Sequence, residues 1–95
     1  MAKNWGRHLY VIHAGNELTK VGRSQHPEKR LQEVSRGIPF VECRLWAVFP
    51  DSGWLEPALH RQLGSVYEKC AEWYRAPADE VLALVACQLA ELDKV

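Results

Sequence analysis

The sequence predicts a layered α+β domain with its elements in the order ββαβαα. Three observations carry that expectation. Two short β-type runs flank a Gly-Asn turn near the start, a third run alternates apolar and polar residues at mid-chain, and helical spacing of apolar residues marks segments between and after them. A chain of 95 residues has room for one hydrophobic core and no second, so residues 1–95 are expected to form a single domain.

The first strand is Leu9-Tyr10-Val11-Ile12, closed by Ala14-Gly15-Asn16-Glu17, and Leu18-Thr19-Lys20-Val21-Gly22 follows at once. Two such runs around a Gly-Asn turn read as a β-hairpin. Gln25-His26-Pro27 then starts a helix, with Pro27 suited to its first position and Glu28 to the positive end of its dipole. Leu31 and Val34 give this helix an apolar face, and Gly37 is placed to stop it. Pro39 forces the chain to extend again.

In the third strand, Val41–Phe49, residues Val41, Cys43, Leu45 and Ala47 share one face, and Glu42, Arg44 and Trp46 the other. Pro50-Asp51-Ser52-Gly53 is a turn whose Asp51 or Ser52 can cap a second helix. Pro57 is tolerated only in a first turn, so that helix begins near Trp54 or Leu55, and Gly64 is expected to end it. Residues 65–76 read as a loop with a brief extended piece at Trp73-Tyr74. Pro77-Ala78-Asp79-Glu80 opens the last helix, where Val81, Leu84, Val85, Leu89 and Leu92 recur at helical spacing. Trp5, Trp46 and Trp54 are assigned to packing.

Composition excludes several classes. The hydrophobic share of 47% and charged share of 25% are those of an ordinary globular protein. No apolar run approaches the roughly 18 residues that a membrane span needs. Met1–Tyr10 lacks the apolar core of a secretory signal, so a cytoplasmic location is expected. Cys43, Cys70 and Cys87 are odd in number, far apart and without a C-x-x-C pair, which argues for reduced, structural thiols rather than a disulfide framework or zinc knuckle. Net charge is zero, yet residues 1–36 hold seven basic and three acidic groups while residues 37–95 hold five and nine. That asymmetry offers a polyanion one attractive face if the halves are also halves of the structure, and a well-mixed surface if they are not.

Several residues can carry chemistry. Tyr10 and Lys20 would sit on neighbouring strands of the hairpin, Arg30 lies in the helix that follows, and Glu56 and His60 share a face of the next helix. Phosphodiester hydrolysis needs a base near the attacking water, a cation for the developing charge and a hard ligand for a divalent metal. These five side chains could supply all three. Each also has an ordinary reading: a packed strand tyrosine, solvated cations and a surface Glu/His pair.

A resemblance to a known family favours the chemical reading. Leu9-Tyr10-Val11-Ile12, followed ten residues after Tyr10 by Lys20-Val21-Gly22, resembles the paired strands of GIY-YIG nucleases. The resemblance continues through Gly22-Arg23-Ser24, Pro27, and Arg30-Leu31, with Arg30 eight residues after Gly22. It extends into Glu56-x-x-Leu59-His60 and Glu72-Trp73-Tyr74, a string similar to the short phage and bacterial branch associated with DNA binding. It spans roughly residues 8–75.

The resemblance implies a three-stranded antiparallel sheet flanked by helices, with the site on the face of the first two strands. By the same carry-over, Tyr10 stands beside the attacking water as base, Arg30 stabilises the transition-state phosphate, and Glu56 holds a single Mg²⁺ or Mn²⁺. Gly22 lets the backbone approach closely. The chain departs from the pattern in having Leu9-Tyr10-Val11 for Gly-Ile-Tyr, Lys20 for the second tyrosine, and no counterpart of the asparagine common in the family. An ammonium at Lys20 can favour a phenolate at Tyr10 or hold the scissile phosphate directly; an exposed strand lysine is the ordinary alternative.

His60 matches the branch's histidine and can orient a water or touch phosphate, or else simply pack. Arg23 and Ser24, before the helix, are expected to bind backbone phosphate, because a helix N-terminus favours anions. Lys29 and Arg36 belong to the same expected nucleic-acid-binding set. Trp73-Tyr74 is expected to pack in the core or at an edge, with stacking on a base as the alternative. His8, His13 and His26 are not spaced for a metal.

The leading expectation is therefore a divalent-metal-dependent endonuclease that hydrolyses DNA, with RNA left open as a partner. Its rivals are a non-catalytic nucleic-acid-binding module and a small phage-type interaction protein on the same fold. A domain this short has little surface for reading sequence, so specificity would come from a partner, a homodimer or substrate structure.

Overall fold

A computed structural model describes residues 7–15, 17–38 and 41–93, apart from the side chains of Cys70, Leu92 and Asp93. Expectations for Trp5, Asn16 and Pro39, and for the side chains of Cys70 and Leu92, fall outside that set. The elements run β1 (His8–Ala14), β2 (Leu18–Ser24), α1 (Pro27–Arg36), β3 (Cys43–Phe49), a 3₁₀ turn (Gly53–Leu55), α2 (Glu56–Val66), β4 (Lys69–Cys70), β5 (Trp73–Arg75) and α3 (Ala78–Asp93). The α+β class and the antiparallel sheet with flanking helices are as the sequence predicts.

The sheet has five strands, not three, in the order β3-β1-β2-β5-β4. Strands of two and three residues are too short to show alternation, which is why 65–76 read as a loop. Their hairpin turns at Ala71, whose φ of 59° is in the left-handed region. It is held by side chain and backbone together: Thr19 Oγ1 donates to the Ala76 carbonyl at 2.7 Å, and the Ala76 amide donates to Glu17 O at 2.8 Å. β5 pairs only with Leu18 and Thr19 of β2. The second half of β2 therefore has no strand partner on that side among the described residues.

Side-chain alternation divides β1 and β2 between two layers. Leu9, Val11 and Val21 face a core completed by Tyr74, by Leu55, Leu59 and Leu63 of the 3₁₀ turn and α2, and by Val81 and Val85 of α3. Cross-strand pairs Tyr10–Gly22 and Ile12–Lys20 point the other way, toward α1. Burying these nine side chains is the main stabilising term, at roughly 1.5–3 kcal/mol for each large aliphatic.

Several boundaries differ from expectation. Gly64 does not end α2, which continues to Val66, because Leu59 and Leu63 are fully buried and their packing carries the helix through the glycine. Neither Asp51 nor Ser52 caps this helix: Ser52 Oγ donates to Pro50 O instead, and Asp51 takes a positive φ of 55° in the turn. α1 begins at Pro27 and is followed by Gly37 as its C-cap, as its proline and glycine predict. β3 begins at Cys43, so Val41 precedes the strand and is exposed. Trp46 and Trp54 are 42% and 39% exposed rather than packed away, Trp46 lying against the His13 ring at a centroid distance of 5.3 Å. Cys87 is an exposed free thiol, not a buried one, and Cys43 is half-buried. No helix among the described residues is long and apolar enough to cross a membrane.

Candidate phosphate-binding cleft

The free half of β2 opens onto a cleft of about 470 Å³, and the two layers of the fold meet there. From the α1 side come Tyr10, Lys20 and Arg30; from the core side come Arg23, Glu56 and His60. Register explains this division. Arg23 pairs with Leu9 and so points to the core face, where it reaches α2, while Gly22 one residue earlier lies on the Tyr10 face. Glu56 opens α2 directly after a 3₁₀ turn that packs tightly against the start of β1. There the Gly53 amide donates to Arg7 O at 2.9 Å, and a Cβ on Gly53 would fall 2.9 Å from that same oxygen.

On the α1 face, the Tyr10 ring lies across the backbone of Gly22. A Cβ there would meet the Tyr10 hydroxyl oxygen at 2.3 Å, so a glycine is required for the phenol to reach the cleft. Arg30 Nε donates to that oxygen at 3.4 Å, and its Nη1 pairs with Glu33 at 3.1 Å. Those two acceptors, Tyr10 first, raise the Arg30 pKa and fix its guanidinium as a cation. Lys20, only 7% exposed, sends its ammonium to Glu72 Oε1 at 2.6 Å. This ion pair holds the Glu72 carboxyl below the usual carboxylate range, with Arg30 and Lys69 adding smaller contributions. The ammonium thus has its hydrogen-bond partner in the β4–β5 turn rather than in Tyr10.

On the core face a polar chain runs inward. Arg23 Nε donates to Glu56 Oε1 at 3.2 Å, and Glu56 Oε2 lies 3.4 Å from His60 Nε2. His60 Nδ1 is 2.7 Å from the hydroxyl of Tyr74, a residue 1% exposed. Burial first, and the Glu56 charge second, raise the Tyr74 pKa, so its phenol keeps its proton. The same Tyr74 hydroxyl donates to the His60 carbonyl at 3.4 Å, so this buried phenol holds both the ring and the backbone of His60.

Tyr10, Lys20, Arg23, Arg30, Glu56 and His60 all line this cleft. Ser24, Lys29 and Arg36 do not: Ser24 Oγ accepts from the His26 amide at 2.9 Å, just before α1, and Lys29 and Arg36 are exposed on that helix. Sequence reasoning missed Arg7, Lys69 and Glu72, which also line it. Glu72 stood inside the Glu72-Trp73-Tyr74 string, and the available signal was that a lysine predicted in a sheet needs a counter-charge. Five cationic side chains face two carboxylates here, so the cleft attracts anions despite a net charge of zero for the chain.

The same donor set can be tested for a divalent ion. No group of three or more His, Cys, Asp or Glu side chains is arranged to hold a metal among the described residues. Glu56 does present one carboxylate beside cations suited to phosphate. That fits Mg²⁺ or Mn²⁺ held by a single carboxylate, waters and substrate phosphate oxygens, and not an all-protein cage.

An antiparallel α+β domain with a basic cleft at a strand edge unpaired among the described residues is built to take an anionic partner. The chain belongs to the T5orf172 domain family, whose model matches residues 7–89. That family is one of phage-type nuclease-like and DNA-binding modules. No curated protein and no solved structure gives a significant match.

Proposed function

We propose that the chain is a GIY-YIG-type, divalent-metal-dependent endonuclease acting on DNA. One observation carries the reading: Tyr10, Arg30 and Glu56, separated along the chain and drawn from three elements, line one cleft, with the Tyr10 oxygen and Arg30 Nε 3.4 Å apart.

In this reading the scissile phosphate lies between Arg30 and Lys20, whose charges stabilise the phosphorane as it forms. Lys20 exchanges the Glu72 carboxylate for a phosphate oxygen, so its charge stays paired throughout. Tyr10, acting as the phenolate beside the Arg30 guanidinium, takes the proton of the water whose oxygen forms the new P–O bond, while the P–O bond to the leaving sugar oxygen breaks and that oxygen takes a proton from solvent. Arg30, hydrogen-bonded to that oxygen, orients the phenol as well as the phosphate. Glu56 is the residue that would hold Mg²⁺ or Mn²⁺, which supplies Lewis-acid stabilisation of the phosphate when bound. His60, braced by Tyr74, keeps the Glu56 carboxylate aimed into the cleft.

The test is cleavage of plasmid and single-stranded DNA with Mg²⁺ or Mn²⁺, compared between wild type, Glu56→Ala and Arg30→Ala. Metal-dependent cleavage lost in both variants is the expected result. Binding without cleavage under every metal condition would overturn it. A binding-only module is the second reading, favoured by one observation: both Glu56 oxygens are already engaged, one by Arg23 and the other by His60.

A further inference from the structure

Beside the cleft lies a second recess of about 240 Å³, between the C-terminal half of α1 and the β4–β5 turn. Lys20 and Arg30 line both spaces, so these two cations form the boundary between them. The recess differs from the cleft in chemistry. Val34 and Ile38 give it apolar walls, and half-buried Trp73 adds an aromatic one. Its two cations are matched by Glu33 and Glu72, each ion-paired to one of them, at 3.1 Å and 2.6 Å. An aromatic wall of this kind suits a flat, uncharged group. At this volume it is also smaller than a typical site for a drug-sized ligand.

We infer that this recess is a nucleobase subsite: it takes one unstacked base of the strand whose phosphate lies on Lys20 and Arg30. The inference rests on the phosphate reading of the cleft and makes it more specific. A base paired in a duplex is stacked on both faces and cannot enter a side recess, so the preferred substrate is single-stranded or locally opened nucleic acid. Trp73 supplies the surface against which the base packs, a contact that tolerates any sequence because every base has a π-face. The side-by-side arrangement matches the nucleotide itself, with phosphate and base joined through one sugar.

Binding in EDTA tests this without requiring catalysis. Fluorescence anisotropy would be measured with a short single-stranded oligonucleotide, the same oligonucleotide carrying abasic sugars, and the blunt duplex. Wild type is expected to bind the single strand at least about fivefold more tightly than the duplex or the abasic strand, as stacking worth ~1–3 kcal/mol per base implies. Trp73→Leu keeps an apolar filler; it is expected to bring the single-strand affinity down to the abasic level and leave duplex binding unchanged. The abasic comparison uses the native protein, so it decides even where Trp73→Leu weakens the fold. Equal binding of all three nucleic acids by wild type overturns the base subsite and leaves the phosphate cleft standing. Binding of none of them overturns both.

Discussion

Gly22 stands opposite Tyr10 in the β1–β2 ladder, and the Tyr10 ring occupies the space that a side chain on Gly22 would need. A β-carbon there would fall 2.5 Å from Tyr10 Cζ as well as 2.3 Å from its oxygen, and the ring, 2% exposed, has little room to retreat. Gly22 is thus a steric partner of Tyr10.

Gly22→Ala is accordingly expected to destabilise the fold by about 1–3 kcal/mol, the usual cost of overpacking. Its effect should shrink in a Tyr10→Ala background, where the clash is gone. Urea denaturation of the two single variants and the double variant measures this coupling. Additive effects would show that the two residues do not compete for the same space.

Tyr74→Phe removes the hydroxyl that braces His60 while keeping the buried ring. The expected loss of stability is about 0.5–1.5 kcal/mol, from one hydrogen bond. If Glu56 acts through this chain, cleavage should fall more than stability explains and DNA affinity in EDTA should not change. Parallel melting, cleavage and binding assays separate the two contributions.

Glu72→Gln breaks the charge pair with Lys20 and makes a pH prediction. The Glu72 carboxyl has a depressed pKa in the folded chain. Its stabilising contribution is therefore complete above the unfolded carboxylate pKa and disappears as pH falls through the lower, folded value. Thermal melts should show the variant less stable than wild type at neutral pH, with the two curves converging in acid. A constant gap at all pH values would sink the assignment.

Glu56→Ala should separate catalysis from binding. Removing this carboxylate leaves Arg23 without its partner and makes the cleft more cationic. Affinity for DNA in EDTA should therefore be kept or raised, with a steeper salt dependence, while metal-dependent cleavage is lost. A titration at several salt concentrations reads the slope. Weakened binding in EDTA would mean that Glu56 contacts the nucleic acid itself.

Much of the fold was legible because its signals are local. Pro27 and Gly37 bracket α1, Gly15 turns the first hairpin, and the apolar spacing of Val81 and Val85 marks α3. The misses share a cause. β4 and β5 are too short to carry a period; β5 exists because Leu18 and Thr19 give it an edge to pair with, and β4 because it pairs in turn with β5. Gly64 sits inside α2 because burial of Leu59 and Leu63 outweighs a local propensity cost of about 1 kcal/mol.

By itself, the order of residues determined the α+β class, the hairpin with its glycine, and the candidate set Tyr10, Lys20, Arg30, Glu56 and His60, since periodicity, turn chemistry and motif spacing are properties of neighbours along the chain. Only the tertiary structure decided what each candidate touches. Lys20 is paired with Glu72, 52 residues away, Glu56 with Arg23, and His60 with the buried phenol of Tyr74. Those partners arrive through strand register and helix packing, which act across space and leave no period in the sequence.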